Sequence, residues 1–184
     1  MSVPPPRLLT VGHGTATGEE LAALLTSAGV GDLVDVRRFP GSRRDPSVGR
    51  DALAATLPAA DIAYRWEERL GGRRRVPREE TITDPWWRVA SFRAYAAHAR
   101  SPDFSAAMAE LLDRVREPGA PTVAVMCSES LWWRCHRRLI SDVAVLLHGV
   151  PVAHLTHDGR LSAHRPAEGA RVTEAGLVYD RDTD

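Results

Sequence analysis

RLLTVGHGTATGEELAALLTSAGVGDLVDVRRFP, residues Arg7–Pro40, decides the fold class. The first apolar run reads as a strand to about Val11, followed by a Gly12-His13-Gly14 loop. Leu21, Leu24, Leu25 and Ala28 then recur at helical spacing, and Gly29 stops the helix. A second short apolar strand carries Asp35 and Arg37 at its end, and Pro40 forbids further pairing. Strand, helix and strand at this spacing predict a parallel βαβ unit.

Downstream, a helix is expected near Arg50 to Leu57, then a strand in DIAYRW (61–66). RLGGRRRVPREETITDP (69–85) reads as a long Gly, Pro and Arg-rich loop. Asp84-Pro85 and Ser101-Pro102 each carry a helix-start signal. PTVAVMC (121–127) is the clearest buried strand, LWWRCHRRLISDVAVLLHG (131–149) reads as a helix ending on glycine, and VPVAHLTH (150–157) as a further strand. About five strands, mostly separated by helices, predict an α/β fold: a three-layer sandwich with a largely parallel sheet. The expectation is a single domain over residues 1–184, with an appended strand or tail after about Pro166.

A chain of 184 residues buries about two thirds of its unfolded surface and needs no disulfide to fold. The longest apolar segment is interrupted by Asp142 and His148, and MSVPPPRLL lacks the charged-then-apolar plan of a signal peptide. A cytoplasmic protein with no membrane partner is expected. Formal net charge is zero, so the whole chain has no general attraction for polyanions. Locally, however, eleven arginines face five acids between Arg37 and Arg78, while Asp180, Asp182 and Asp184 make the C-terminus acidic. All 24 cationic side chains are arginine. That excludes a Schiff-base lysine, a pyridoxal-phosphate anchor and a P-loop lysine.

In an open parallel sheet, ligands bind beyond the carboxyl ends of the strands. The predicted strand ends deliver His13, Asp35 with Arg37, Cys127 with Glu129, and His154 with His157. Cys127, facing a helix N-terminus with Arg134, His136 and Arg137 nearby, is the candidate nucleophile with an expected depressed pKa; the plainer reading is a buried thiol filling a strand end. Cys135 aligns with Trp132, Leu139, Val143 and Leu146 at three-to-four spacing and reads as core. Arg37, Arg38, Arg43 and Arg44 flank FPGS, and their guanidinium forks suit phosphate oxygens. Arg73 to Arg75 extend that surface, with Trp66, Trp86 and Trp87 as candidate stacking platforms for bases. Glu129 either orients a ligand or caps the next helix, and Asp35 orients an arginine or His13. The candidate catalytic set is therefore Cys127, Glu129, His13 and Asp35, and the candidate ligand-binding set is Arg37, Arg43, Arg44, His136, Arg137 and His154. No metal site and no cofactor are assigned.

With TVGHG, LVDVRRFPGSRR, YRWEERLGG, SFRAYAAHA, VMCSESLWWRCHRR and VAHLTHDG in order over about residues 8–160, the chain resembles the bacterial domain-of-unknown-function family 488 (DUF488). The resemblance implies a compact α/β protein with Asp35, Arg37, Cys127, Glu129, Cys135, His136, Arg137 and His154 on recurrent polar positions; it implies no activity. LVDVRRFP followed later by a strand ending in Cys127 is also partly similar to rhodanese-type domains, but CSESLWWRC lacks the glycine such a loop needs. Three readings stay open: a cysteine-dependent hydrolase or transferase acting on a nucleotide or nucleic acid, a nucleic-acid-binding module without chemistry, and a Cys/His metal or redox protein.

Overall fold

The computed structural model describes residues 7–75 and 83–181. Arg78 and most of the second half of the expected 69–85 loop lie outside the described residues, as do the first six residues, Asp182 and Asp184. The central strands are β1 (Leu8–Gly12) and β4 (Thr122–Cys127), paired in parallel with Gly12 opposite Cys127. Beyond β4 come β2 (Val30–Asp35) and β3 (Ala63–Trp66); beyond β1 come β5 (Val152–Leu155) and β6 (Leu161–Ala163). The sheet order is β3-β2-β4-β1-β5-β6, and only β6 runs antiparallel. It has one strand more than the sequence predicts, because β5 turns back on itself through Thr156–Arg160.

Alternation along the strands sends side chains to two apolar layers. Leu9, Val11, Leu33, Ala124 and Met126 face α1 (Gly18–Ser27) and α2 (Arg50–Thr56), which contribute Leu21, Leu25 and Leu53. Leu8, Val34, Val36, Val125 and Cys127 face α3 (Ala90–His98), α4 (Pro102–Arg116) and α5 (Arg137–Leu146). Helices on both faces make the three-layer sandwich. Each fully buried leucine contributes about 1.5–3 kcal/mol relative to exposure. The helix starts follow local chemistry: Thr17 and Glu20 form a capping box on α1, and Ser101 with Pro102 opens α4. Gly29, with φ of +69°, ends the α1 turn as glycine can without strain. An antiparallel pair, β7 (Ala170–Thr173) and β8 (Gly176–Tyr179), buries Leu177 and Tyr179 in the α5-side core.

Two helix starts differ from the sequence reading. Asp84-Pro85 caps nothing, and α3 begins only at Ala90. The Asp84 carboxylate instead accepts from Arg100 Nη1 at 3.0 Å and Nη2 at 2.7 Å and from the Tyr179 backbone N–H at 3.0 Å, so it ties β8 to the body. The segment from Leu131 forms a short 3-10 turn at Trp132–Arg134, Cys135 is extended, and α5 starts at Arg137. The chain leaves β1 through α1 toward β2, and leaves β4 through α5 toward β5 on the opposite side. A crevice therefore opens above the paired ends of β1 and β4.

Candidate functional site

Arg137 holds the crevice together. Its guanidinium, 1% exposed, donates to the Glu129 and Ser130 carbonyls, to Cys135 Sγ at 3.4 Å and to Thr10 Oγ1 at 3.4 Å. The Glu129 carboxylate accepts from Leu131 N at 3.1 Å. These bonds fold residues 128–136 into a closed loop whose carbonyls crowd β1: a Cβ on Gly12 would sit 1.9 Å from Glu129 O. The loop turns Cys135 inward toward β4, where it is buried in the same cluster as Leu139 and Val143, as its spacing suggests, although its own backbone is extended and not helical. Helical periodicity loses here because Arg137 satisfies the loop carbonyls that a helix would have paired.

Beside the loop lies a pocket of about 230 Å³ with Cys127, Ser128, His136 and His13 in its lining and Arg38, Phe39 and Arg73 around it. Cys127 Sγ lies 3.9 Å and Cys135 Sγ 3.6 Å from His136 Nδ1. His136 Nε2 is 3.0 Å from the Val36 carbonyl, which can only accept, so Nε2 carries a proton and Nδ1 offers its lone pair to the thiols. The bond to Cys135, and then burial, push the Cys127 thiol up to about 12. Burial alone would raise Cys135 as well, but the Cys127 bond and Arg137 bring it down to about 6. The guanidinium beside Cys135 thus favours charge on that sulfur and not on Cys127, the reverse of the depression expected for Cys127, although Cys127 is the thiol that lines the pocket.

Behind the pocket Asp35, fully buried, accepts from Arg37 Nε at 2.9 Å and Nη2 at 2.6 Å, and from the Tyr64 hydroxyl at 2.6 Å. Burial first, then the Asp35 charge, raises the Tyr64 phenol. Arg37 is consequently held by the acid that ends β2 two residues before it, with Nη1 3.3 Å from His13 Nε2. His13 Nδ1 donates to the Gly14 carbonyl at 3.1 Å, leaving Nε2 as an acceptor. Burial, and next the Arg37 charge, lowers its pKa, so the ring is held neutral.

The structure brings Cys127, His13, Arg37 and His136 to one pocket, with Asp35 directly behind. Glu129 is an exposed turn cap, and Arg43 and Arg44 lie exposed on the surface. Arg137 and His154 are spent inside the protein: His154 Nδ1 is 2.7 Å from Thr10 Oγ1, its Nε2 is 2.9 Å from His164 Nδ1, and its ring stacks on Trp132 at 4.0 Å. His164 in turn donates to the buried Asp142 at 2.7 Å.

Sequence reasoning did not single out Phe39, which stands at the rim of the pocket. It is 62% exposed, with the Arg38 guanidinium 5.5 Å and the Arg73 guanidinium 5.9 Å from its ring centroid. Its signal was an aromatic between arginines and a proline, with no apolar periodicity to bury it. The tryptophans expected to stack bases are otherwise engaged: Trp87 is core, and Trp66 donates to the Arg37 carbonyl at 2.7 Å under Arg50. From the same rim a broader groove runs past Arg74, Arg75 and His98. No helix among the described residues is long and apolar enough to cross a membrane.

The model of a family described as a domain of unknown function, DUF488, matches residues 17–144. No curated protein and no solved structure matches the chain, and the partial rhodanese likeness finds no support in these comparisons.

Proposed function

The chain belongs to the DUF488 family, and on that premise we propose that it is an enzyme acting on a phosphate-bearing substrate, a nucleotide or a nucleic acid, at the carboxyl edge of the sheet. The observation that carries this reading is the exposed Phe39 ring between Arg38 and Arg73 at the mouth of a pocket lined by thiol and imidazole groups. A flat apolar ring suits a base, and guanidinium forks on either side suit its phosphates. His13 Nε2, neutral and turned toward Arg37, is a group able to accept a proton there. Arg37 supports it as a fixed charge, not as a phosphate clamp. Two free thiols in close approach fit a reducing, cytoplasmic setting.

The test is fluorescence anisotropy with a short labelled single-stranded oligonucleotide carrying a 5′-phosphate. Phe39→Ala is expected to weaken binding by about 1–3 kcal/mol, the usual worth of one base–aromatic stack. Arg38→Ala and Arg73→Ala should weaken it and reduce the salt slope by about 0.7 each. Inorganic phosphate competing as well as a nucleoside monophosphate, or a Phe39→Ala protein binding like wild type, would remove the base from this reading.

A further inference from the structure

At the wall of the pocket, two lining residues, Cys127 and His136, meet the buried Cys135 just behind them. Cys127 Sγ, Cys135 Sγ and His136 Nδ1 all lie within 4.8 Å of one another. Tetrahedral zinc, with bonds of about 2.3 Å to sulfur and about 2.0–2.1 Å to nitrogen, holds sulfur and nitrogen ligands about 3.6 Å apart and two sulfurs about 3.8 Å apart. The observed sulfur–nitrogen separations of 3.9 and 3.6 Å already match within a few tenths of an ångström. The two sulfurs, within 4.8 Å of each other, would close by at most about 1 Å to complete the triangle.

The surroundings are those of a ligand set. The Val36 carbonyl fixes the His136 tautomer so that Nδ1 presents a lone pair, the way ligating histidines are oriented. Arg137 Nε donates to Cys135 Sγ, which favours a thiolate there. Gly72 leaves room for the ring, since a Cβ at that position would lie 2.8 Å from Nδ1. Two thiolates would cancel the charge of a divalent ion, so the loaded site carries no net charge into a buried place. Cys127 and His136 also line the pocket, so a fourth position is accessible from it.

We propose that Cys127, Cys135 and His136 bind one soft divalent cation, zinc by the nature of its donors, with the fourth coordination position open to the pocket. The ion site goes beyond the substrate reading and does not depend on it. With an ion bound, both thiols are ligands and Cys127 is not a free nucleophile.

The experiment uses reduced, untagged full-length protein, analysed for zinc and, after metal removal, titrated with zinc and with cobalt(II). One zinc per chain is expected. Cobalt should give a near-ultraviolet thiolate-to-metal charge-transfer band with the intense visible absorption of a tetrahedral site, and thiocyanate should alter the visible bands by entering the open position. Cys127→Ser, Cys135→Ser and His136→Ala should each cost at least ~100-fold in zinc affinity, above the ~10–100-fold typical of a partner that only orients a ligand. Should a variant fail to fold, wild-type protein decides: zinc must protect both cysteines from iodoacetamide. Folded, reduced wild type that takes up no zinc above a protein blank, or cobalt absorption without the thiolate band, overturns the site, and visible bands indifferent to thiocyanate overturn its open position. Oligonucleotide affinity of the metal-free protein is measured alongside, so loss of the ion proposal with nucleotide binding intact leaves the substrate reading standing, and the converse isolates the substrate reading as the failure.

Discussion

Lowering the pH from 7 to 5 should destabilise this protein through His154, and the size of the effect follows from where the ring sits. Burial, then His164, then Arg137 lower its pKa from the ordinary 6.5 to about 3. Its Nδ1 accepts from the Thr10 hydroxyl and its Nε2–H donates to His164, so a second ring proton would have no acceptor without reversing Thr10. The stability tied to the neutral ring is complete above the unfolded value near 6.5 and is lost as pH falls toward about 3. Between pH 7 and pH 5 the unfolded chain goes from about a quarter to almost fully protonated at this residue, while the folded chain stays almost unprotonated. At 1.36 kcal/mol per pH unit, the loss integrates to about 2 kcal/mol. Urea unfolding of wild type and His154→Gln at both pH values measures it, since glutamine keeps polar bonding without titrating in this range. His13, His98 and His148, whose pKa values are also lowered, contribute to both proteins and cancel. Equal losses in the two proteins would refute the argument.

Arg37→Lys should lower stability by about 2–3 kcal/mol in the same urea assay, because lysine cannot supply the fork that satisfies the buried Asp35; oligonucleotide affinity should change little. Gly12→Ala should lower the melting temperature, with a cost of about 2–3 kcal/mol, because its Cβ meets the backbone oxygen of Glu129 and not a side chain that can move aside. Gly72→Ala should leave stability within about 1.5 kcal/mol yet weaken zinc binding in a competition titration, since the new methyl presses on the His136 ring. Phe39→Ala, at an exposed ring, should leave thermal unfolding within about 0.5 kcal/mol of wild type.

The βαβ start was legible because apolar spacing, Gly29 and the strand ends are local signals, and the strand ends placed His13, Asp35 and Cys127 on one edge. Cys135 was not legible as a pocket neighbour. Its spacing from Leu139 and Val143 rightly marks it as core, but the thiol's approach to Cys127 depends on the loop that Arg137 closes by reaching the Glu129 and Ser130 carbonyls. Asp84 carries a cap signal that no helix uses, because Arg100 and the Tyr179 backbone, 16 and 95 residues on, take its carboxylate. His154 alternates with apolar neighbours, so its sequence fits a strand-end ligand and a hydrogen-bonded core residue equally; its buried partners, from β1 and from beyond β6, make it the latter. Phe39 has no periodic signal, because an exposed aromatic packs against no repeating face.

The hydrogen bonds that begin at Arg137 run through Thr10, His154 and His164 and end on Asp142, and both end residues belong to α5. The circuit leaves the helix at its first turn, crosses two strands, and re-enters it five residues later, with a cation at the donating end and a carboxylate at the accepting end. Its polarity is therefore fixed. Sliding α5 by one turn along the sheet would break both terminal links at once, whereas apolar packing alone would tolerate such a slip far better. The circuit acts as a register pin, and because His136 directly precedes α5, the same pin sets how far the imidazole stands from the two sulfurs.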